Sequence, residues 1–446
     1  MSTEARVERA GADLLGAPSV WPASATAAPG GDLTVGGVSL TALAERFGTP
    51  VYVLDEQEVR DRVRAWRRAL PDAEVAYAAK AFLCRAVVDW MREEGLGLDV
   101  CSAGELELAA ARGFDAERIV LHGNAKSPDD LRAALRLGVG RIVIDSDCEI
   151  ARLAAQVTGP EPQQVMVRVL PGIEAGAHKK IRTGAEGQKF GLSIAAGDAE
   201  DAVARILGQP RLQLVGLHSH LGSQITTPEP YGAAVHRLIA FLARLRERYG
   251  VTLPELDIGG GFAVAYRQGD PAPAPAAYGQ VIRRQLTASC AEFDYPAPRL
   301  TVEPGRSVLA PAGVALYRVL AVKRSGGQVF VAVDGGMSDN PRPALYGARY
   351  TVRLVGRPAS APMRTTTVVG RHCEAGDVLA EDVELPEDVR PGDVLAVPAS
   401  GAYHLSMASG YNLVGRPPVA AVREGQARLL VRRETFEDHG RRDVGL

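Results

Sequence analysis

The chain has 446 residues, of which 46% are hydrophobic and 23% are charged, a balance that excludes a disordered or fibrous protein. Its formal net charge of −2 gives no bulk attraction for nucleic acid or for an acidic membrane surface, so neither is expected as a partner. The longest apolar stretches fall short of the ~18 residues that a membrane span needs.

Residues 1–32 are rich in Ala, Gly and Pro and are predicted to form a flexible lead-in. Residues 1–9 are charged and lack an apolar core, so they do not resemble a secretion signal. The chain has scattered cysteines with no Cys-x-x-Cys pair, namely Cys84, Cys101, Cys148, Cys290 and Cys373. This pattern is typical of reduced thiols in the cytoplasm rather than of a disulfide framework or a zinc site.

Two strand-like runs, Leu33–Val35 and Pro50–Leu54, come next, and we expect residues 33–53 to join a C-terminal β domain. Eight β-prone runs then follow in order: Val75–Lys80, Leu98–Ser102, Ile119–Gly123, Arg141–Ser146, Val165–Pro171, Leu214–Gly222, Leu256–Gly261 and Arg299–Gly305. Stretches with helical period lie between them: Ala81–Glu94, Glu105–Ala111, Asp129–Leu137, Glu149–Val157, Tyr231–Tyr249 and Ala277–Phe293.

The first five β-prone runs recur every ~21–24 residues, which is the length of one βα unit. Eight strands alternating with helices predict an α/β fold, a TIM-like (β/α)8 barrel over residues 54–310. A doubly wound sheet is the competing architecture.

The alternation stops in residues 311–446, where short strand-like runs are separated by Gly, Pro and Asp. These runs predict an antiparallel β domain: Ala315–Lys323, Val329–Val333, Tyr350–Val355, Thr365–Val369, Val394–Pro398, Pro418–Val422 and Ala427–Arg432.

Polar residues cluster at the carboxyl ends of the predicted barrel strands, where barrel enzymes carry their chemistry. They include Lys80, Asp99, His122, Asp145, His218, His220, Ser223, Glu303 and Arg306, with Gly305 directly before Arg306. Lys80 is notable because only six of the 51 basic residues are lysines. A lysine at a strand end is either a surface residue or an amine that forms a Schiff base.

Gly259, Gly260 and Gly261 follow the seventh predicted strand, where barrels often bind phosphate. The alternative is a tight turn that needs positive φ. Arg306 offers a charge-assisted bond to the same phosphate, whereas Glu303 offers either a carboxylate to the barrel mouth or a partner for a neighbouring arginine.

An amine for an imine, glycines for a phosphate and a carboxylate for a pyridinium nitrogen together predict a pyridoxal 5′-phosphate site. His220 would stack on the cofactor ring or serve as a hydrogen-bonded structural histidine. Two other hypotheses stay open. One is a metal-dependent hydrolase that uses His122, His218, His220 and Asp257. The other is a non-catalytic carrier of the same cofactor.

From Leu33 to Glu437 the chain resembles the diaminopimelate decarboxylases, within the alanine-racemase-like group of pyridoxal phosphate enzymes. The ordered motifs that carry the resemblance are Tyr77-Ala-Ala-Lys80, Leu98-Asp-Val-Cys-Ser102, His122-Gly-Asn-Ala-Lys126, Gln188-Lys-Phe-Gly191, His218-Ser-His-Leu-Gly-Ser-Gln224, Asp257-Ile-Gly-Gly-Gly261, Glu303-Pro-Gly-Arg306, Asp334-Gly-Gly-Met-Ser-Asp-Asn-Pro-Arg-Pro343, His372-Cys-Glu374 and Gly401-Ala-Tyr403.

The resemblance implies decarboxylation of meso-2,6-diaminopimelate to L-lysine, with Lys80 as the Schiff-base residue and His220 against the ring. It places the phosphate on Ser223, Gly259 to Gly261 and Tyr403, and the pyridine nitrogen on Glu303. It assigns the substrate to Arg306, Arg342, Tyr346, Glu374 and Tyr403. Cys373 would handle the proton after CO2 leaves and would reach the site from the other subunit of a homodimer.

Some stretches depart from the family pattern. The loop Gly176–Arg182 carries extra cations, and the residues that follow Tyr403, from His404 to Pro418, are altered. A related decarboxylase of specialised metabolism, acting on a different or carrier-linked amino acid, is therefore the alternative to the diaminopimelate reaction.

Overall fold

The computed structural model of the chain describes residues 20–175, 184 and 187–445. The predicted basic loop Gly176–Arg182 lies outside the described residues, as does the first part of the predicted lead-in. Two compact units are formed. The barrel unit contains the described residues of Val63–Ala263 together with Ala272–Gly305. The β unit contains the described residues up to Arg62, together with Val264–Pro271 and the chain from Arg306 onwards.

The strands, in chain order, are β1 (Thr26–Ala27), β2 (Leu33–Val35), β3 (Val38–Ser39), β4 (Val51–Asp55), β5 (Glu74–Ala78), β6 (Gly97–Val100), β7 (Ile119–Leu121), β8 (Arg141–Ile144), β9 (Gln163–Leu170), β10 (Leu192–Ser193), β11 (Leu212–His218), β12 (Glu255–Asp257), β13 (Arg299–Val302), β14 (Gly313–Ser325), β15 (Gln328–Val333), β16 (Arg353–Val355), β17 (Met363–Val369), β18 (Val378–Pro386), β19 (Val394–Pro398), β20 (Val419–Arg423) and β21 (Gln426–Val431).

The α-helices are α1 (Leu40–Phe47), α2 (Glu56–Ala69), α3 (Arg85–Glu93), α4 (Ala103–Ala110), α5 (Pro128–Leu137), α6 (Asp147–Gln156), α7 (Asp198–Leu207), α8 (Glu229–Tyr249), α9 (Pro275–Glu292), α10 (Arg306–Leu309), α11 (Arg342–Tyr346) and α12 (Phe436–Gly440). Short 3-10 turns lie at Pro29–Gly31, Ala79–Ala81, Ala116–Arg118, Ala310–Ala312, Leu405–Met407 and Tyr411–Leu413. Among the described residues, no helix is long and apolar enough to cross a membrane.

The barrel unit is a closed parallel barrel of β5, β6, β7, β8, β9, β11, β12 and β13, as predicted. Pairing of β13 with β5 closes the ring. Nearly every residue along these strands is buried, because helices cover the outer face of the barrel. Such continuous burial is typical of parallel sheets. All eight carboxyl ends therefore meet at one mouth.

The β unit contains the predicted C-terminal sheet, in the order β18-β17-β15-β14-β4-β20-β21, with β19 also pairing with β14. Most pairs are antiparallel, but β15 with β17 and β4 with β20 are parallel, so the sheet is mixed. Both parallel pairs join strands that are distant in sequence, a topology that short-range strand patterns cannot predict.

Several elements differ from the sequence expectation. The predicted flexible lead-in does not extend through residues 20–32, because Val20 and Trp21 are buried in the apolar core of the β unit. Leu33–Val35 pairs within a separate three-stranded sheet rather than with the C-terminal sheet. Strand β18, whose acidic residues interrupt its strand pattern, was not predicted from the sequence, and neither were α1, α2 and α7.

We expect truncation of Ile206 on α7 to lower the free energy of unfolding. Ile206 is fully buried and Leu207 beside it is 40% exposed. Ile206→Ala removes buried carbon and leaves a cavity, which costs about 2–5 kcal/mol, whereas Leu207→Ala is expected to change stability by about 0.5 kcal/mol or less. Chemical denaturation of both variants measures the difference, and equal losses would contradict this packing.

Candidate active site

Lys80 lies at the carboxyl end of the first barrel strand, in the turn Ala79–Ala81. Its amine donates a hydrogen bond to Asp99 Oδ2 at 2.8 Å. Asp99 is buried, whereas the Lys80 side chain is 45% exposed. The ion pair therefore fixes the amine at the mouth of the barrel while leaving it accessible to a ligand.

Glu303 forms the floor of the mouth, directly after the eighth barrel strand. His122 Nε2 lies 2.7 Å from Glu303 Oε1, and His218 Nε2 lies 3.5 Å from Oε2. All three side chains are buried. Burial alone raises the pKa of Glu303, but the two imidazoles outweigh it and hold that pKa well below its usual value. The floor therefore carries a buried negative charge.

Asp257, at the end of β12, has the opposite electrostatic behaviour. Burial, and then the charge of Glu303, raise the pKa of Asp257 well above its usual value. Its Oδ1 accepts a hydrogen bond from the backbone N–H of Gly259 at 2.8 Å. Burial lowers the pKa of His218 to about 4. Two neighbouring carboxyl groups thus favour different protonation states.

The turn Gly259–Gly261 presents backbone with no side chain over it. Gly259 has φ +69° and Gly261 has φ +100°. A Cβ on Gly259 would lie 2.6 Å from the carbonyl oxygen of Ser219, and one on Gly260 would overlap the carbonyl of Glu303. The turn thus needs glycine both for positive φ and for close packing, and it remains a suitable phosphate cradle.

Contacts with the glycine turn orient His220 and locate Ser223. Gly260 donates its backbone N–H to His220 Nδ1 at 3.1 Å, which places the proton of the neutral ring on Nε2. Burial, followed by the charges of Lys80 and Arg168, lowers the pKa of His220 well below its usual value. Ser223 lies in a segment fixed at Ser219 and Ile225 by backbone hydrogen bonds to β12 and to the turn.

These groups fit pyridoxal 5′-phosphate. The barrel unit offers an accessible amine, a buried ionised carboxylate and a glycine cradle that any Cβ would fill. These are the groups needed to hold the aldehyde, the ring nitrogen and the phosphate of that cofactor. Gly305 packs against Ala78 next to this site, where a Cβ would lie 2.9 Å from the alanine methyl.

The β unit carries a second group of predicted residues, arranged around two arginines. The Arg306 guanidinium lies over the Tyr403 ring at 4.5 Å. Arg342, on α11, is buried and lies over the Tyr266 ring at 4.6 Å. Tyr346 ends the same helix and is half-buried. Tyr403 has φ +61°, a left-handed conformation that costs a non-glycine residue energy and is common at functional sites.

Cys373 and Glu374 are exposed, although His372 before them is buried. His372 Nε2 lies 2.8 Å from Ser338 Oγ, and its backbone N–H donates to Asp377 Oδ2 at 2.7 Å. These bonds anchor the loop and leave its tip, with the thiol and the carboxylate, facing solvent.

The altered stretch after Tyr403 has packed positions at both ends, whereas Tyr411, Asn412 and Leu413 in its middle are exposed. His404 is buried, with Nε2 3.1 Å from the hydroxyl of Tyr350. Arg416 forms an ion pair with Glu434 at 2.9 Å. The departures at His404 and Arg416 are therefore accommodated by contacts inside this unit.

Several residues that support the predicted ones were not expected from the sequence. Tyr231 donates its hydroxyl proton to the carbonyl of Gly260 at 2.9 Å and packs on Phe262. Tyr266 and Tyr350 contact Arg342. These partners are distant in sequence, and no local pattern marks them. Asp257, by contrast, was among the predicted residues, because it lies two positions before the glycine turn.

The hydrolase hypothesis is partly consistent with the geometry. His122, His218, Asp257 and Glu303 place ligand atoms within 4.8 Å of one another. His220, which that hypothesis also used, is instead bonded to the glycine turn. The four-residue cluster alone would suit a metal, so the choice depends on the comparisons with known proteins.

Residues 56–310 match the family of the pyridoxal-dependent decarboxylases, pyridoxal binding domain. The chain is 57% identical to the diaminopimelate decarboxylase of Actinosynnema pretiosum subsp. auranticum, over 95% of each chain. It is 46% identical to the diaminopimelate decarboxylase of Mycobacterium tuberculosis, over 95% of this chain and 97% of the relative. The crystal structure of diaminopimelate decarboxylase from M. jannaschii with L-lysine superposes with a TM-score of 0.88 at 29% identity, covering 95% and 98% of the two chains.

The floor of the barrel predicts how stability depends on pH. The unfolded chain protonates a histidine near pH ~6.5, whereas folded His218 resists protonation until about pH 4. Between the folded-state pKa of about 4 and the unfolded-state pKa of ~6.5, the unfolded state therefore binds more protons than the folded state. The free energy of unfolding should fall as the pH is lowered through this range. Depression of the Glu303 pKa acts in the same direction at the acidic end.

We expect His218→Asn to reduce this pH dependence. Urea denaturation of both proteins between pH 7 and pH 4 measures it, with circular dichroism at pH 7 as the control for an intact fold. An identical slope in the two proteins would contradict the neutral, buried state of His218.

Proposed function

Since this chain belongs to the diaminopimelate decarboxylase family of pyridoxal-dependent enzymes, we propose that it converts meso-2,6-diaminopimelate into L-lysine and carbon dioxide, the last step of lysine biosynthesis. The observation that carries the proposal is the presence of an ionised Glu303 and an accessible Lys80 amine at the carboxyl ends of strands in one barrel. Bound pyridoxal phosphate supplies an electron sink for the pair released when a carboxyl group leaves.

The residues of the barrel unit hold and tune the cofactor. Lys80 would hold its aldehyde, with Asp99 keeping the amine at the mouth. Glu303 would keep a proton on the ring nitrogen, because the buried negative charge favours the cationic ring. His220 contacts the ring, and Ser223 with Gly259 to Gly261 binds the phosphate. Gly305 gives the Glu303 segment the close packing that this arrangement needs.

The residues of the β unit handle the substrate. Arg306 and Arg342 bind carboxylates by charge-assisted hydrogen bonds, with Tyr346 as a further donor. Glu374 accepts the distal ammonium group. Tyr403 contributes a hydroxyl to the phosphate and to the substrate. A site built for both distal charges rejects amino acids that lack them, because its polar groups would then be left unpaired.

Cys373 donates the proton that replaces the carboxyl group, and it does so from the other subunit of a homodimer. Support comes from the anchored loop that presents Cys373 and Glu374 to solvent. Tyr411 and Leu413 nearby are exposed apolar residues of the kind that subunit contacts cover.

The free cysteines support a reducing cytoplasmic location.

The cofactor and the substrate can be tested together. Purified protein should absorb near the visible edge and release carbon dioxide and L-lysine from meso-2,6-diaminopimelate. Lys80→Ala should lose both the absorbance band and the activity, because no other amine is expected to replace it. Release of carbon dioxide from lysine, ornithine or a carrier-linked amino acid, but not from diaminopimelate, would contradict the substrate assignment.

Sharing of sites between subunits can be tested by complementation. Lys80→Ala and Cys373→Ala should each have little activity alone. Mixed subunits form heterodimers that contain one intact site, so an equal mixture should recover about one quarter of wild-type activity.

In the control, Lys80→Ala is mixed with the double variant that carries both Lys80→Ala and Cys373→Ala. Neither chain of that mixture supplies the lysine, so no intact site can form. Mixtures no more active than the separate variants would show that each subunit supplies its own thiol.

A further inference from the structure

Tyr266 lies in the short segment Val264–Pro271, which follows the seventh barrel strand in sequence but belongs to the β unit. Its backbone position is fixed on both sides. The N–H donates to Asp270 Oδ2 at 3.1 Å, and the carbonyl accepts from both the backbone N–H and the hydroxyl of Thr351, each at 3.1 Å. The backbone that carries the Tyr266 side chain is therefore held in one position.

The side chain of Tyr266 contacts both arginines. Its hydroxyl accepts a hydrogen bond from Arg306 Nη1. The centre of its ring lies 4.6 Å from the guanidinium carbon of Arg342. The same ring forms a T-shaped pair with the ring of Tyr350, with 5.1 Å between the ring centroids. Arg342 in turn donates to the hydroxyl of Tyr350. One buried tyrosine thus connects the two cations.

Among the described residues, Arg342 forms no ion pair with a carboxylate. Among the residues that the structure describes, its neighbours are the phenols Tyr266, Tyr350 and Tyr403 rather than an acidic side chain. A buried guanidinium normally needs an anionic partner. A cation held by neutral rings therefore retains its charge for an anion that arrives from outside.

The electrostatics of Tyr266 agree with this geometry. Burial by itself raises the pKa of its hydroxyl, but the charges of Arg306 and Arg342 outweigh burial and lower that pKa below its usual value. Both guanidinium groups therefore act on this one phenol.

We propose that Tyr266 is a positioning residue that holds Arg306 and Arg342 at a fixed separation and orientation, and so selects substrates that carry a second carboxylate. The inference rests on the proposed function and extends it, since it names what sets the specificity of that site. A guanidinium already ordered on a ring loses less freedom when it binds a carboxylate.

Tyr266→Phe tests the proposal, because it removes one hydrogen-bond acceptor of Arg306 and keeps the ring under Arg342. We expect the KM for diaminopimelate to rise about tenfold, with kcat changed by about twofold or less. The inhibition constant of L-lysine, which keeps the distal carboxylate, should rise in parallel. That of cadaverine, a diamine of the same length without carboxylates, should not change.

Tyr266→Leu, which also removes the ring, should raise the KM further. Tyr317→Phe is the matched control: it removes a buried hydroxyl of the same unit, one that donates to Asp339, and should leave the KM unchanged. The cofactor absorbance band should be the same in every variant.

Three results would overturn the inference: an unchanged KM in Tyr266→Phe, equal weakening of L-lysine and cadaverine, or loss of the cofactor band in that variant. Wild-type protein that does not act on diaminopimelate would instead count against the proposed function itself. The two failures are therefore distinguishable.

Discussion

The contact between Glu303 and the two imidazoles of His122 and His218 is the constraint on which the rest of the barrel mouth depends. A carboxylate removed from water normally takes up a proton. Here the imidazoles hold it ionised, while Asp257 close by favours the protonated form. Two carboxyl groups with divergent pKa values in one cavity are typical of a site built for charge chemistry.

This arrangement carries a cost in stability, since burial of an ionised group is unfavourable without good partners. The barrel offsets that cost by bringing together the carboxyl ends of the third, sixth and eighth strands, which are far apart in sequence. The carboxyl ends of the first and seventh strands place Lys80 and the glycine turn at the same mouth. Parallel closure of the barrel is therefore what converts separate polar residues into one site.

The alternation of strands and helices was enough to predict the barrel, and the position of Lys80, Glu303 and the glycines at strand ends was enough to predict the cofactor. Other features needed the three-dimensional structure. In helix α2 the charged residues outnumber the apolar ones, so the buried stripe of Val59, Val63 and Trp66 was not recognised. In strand β18 the acidic residues interrupt the apolar pattern. The contacts of Tyr266 and His122 join distant segments, and no short-range pattern encodes such contacts.

The negative charge of Glu303 can be tested most directly by nitrogen NMR of protein loaded with pyridoxal phosphate that is enriched in ¹⁵N at the ring nitrogen. The wild-type protein should show the chemical shift of a protonated ring, and Glu303→Gln should show that of a neutral ring. A neutral ring in the wild type, or the same shift in both proteins, would contradict an ionised carboxylate at the floor of the barrel.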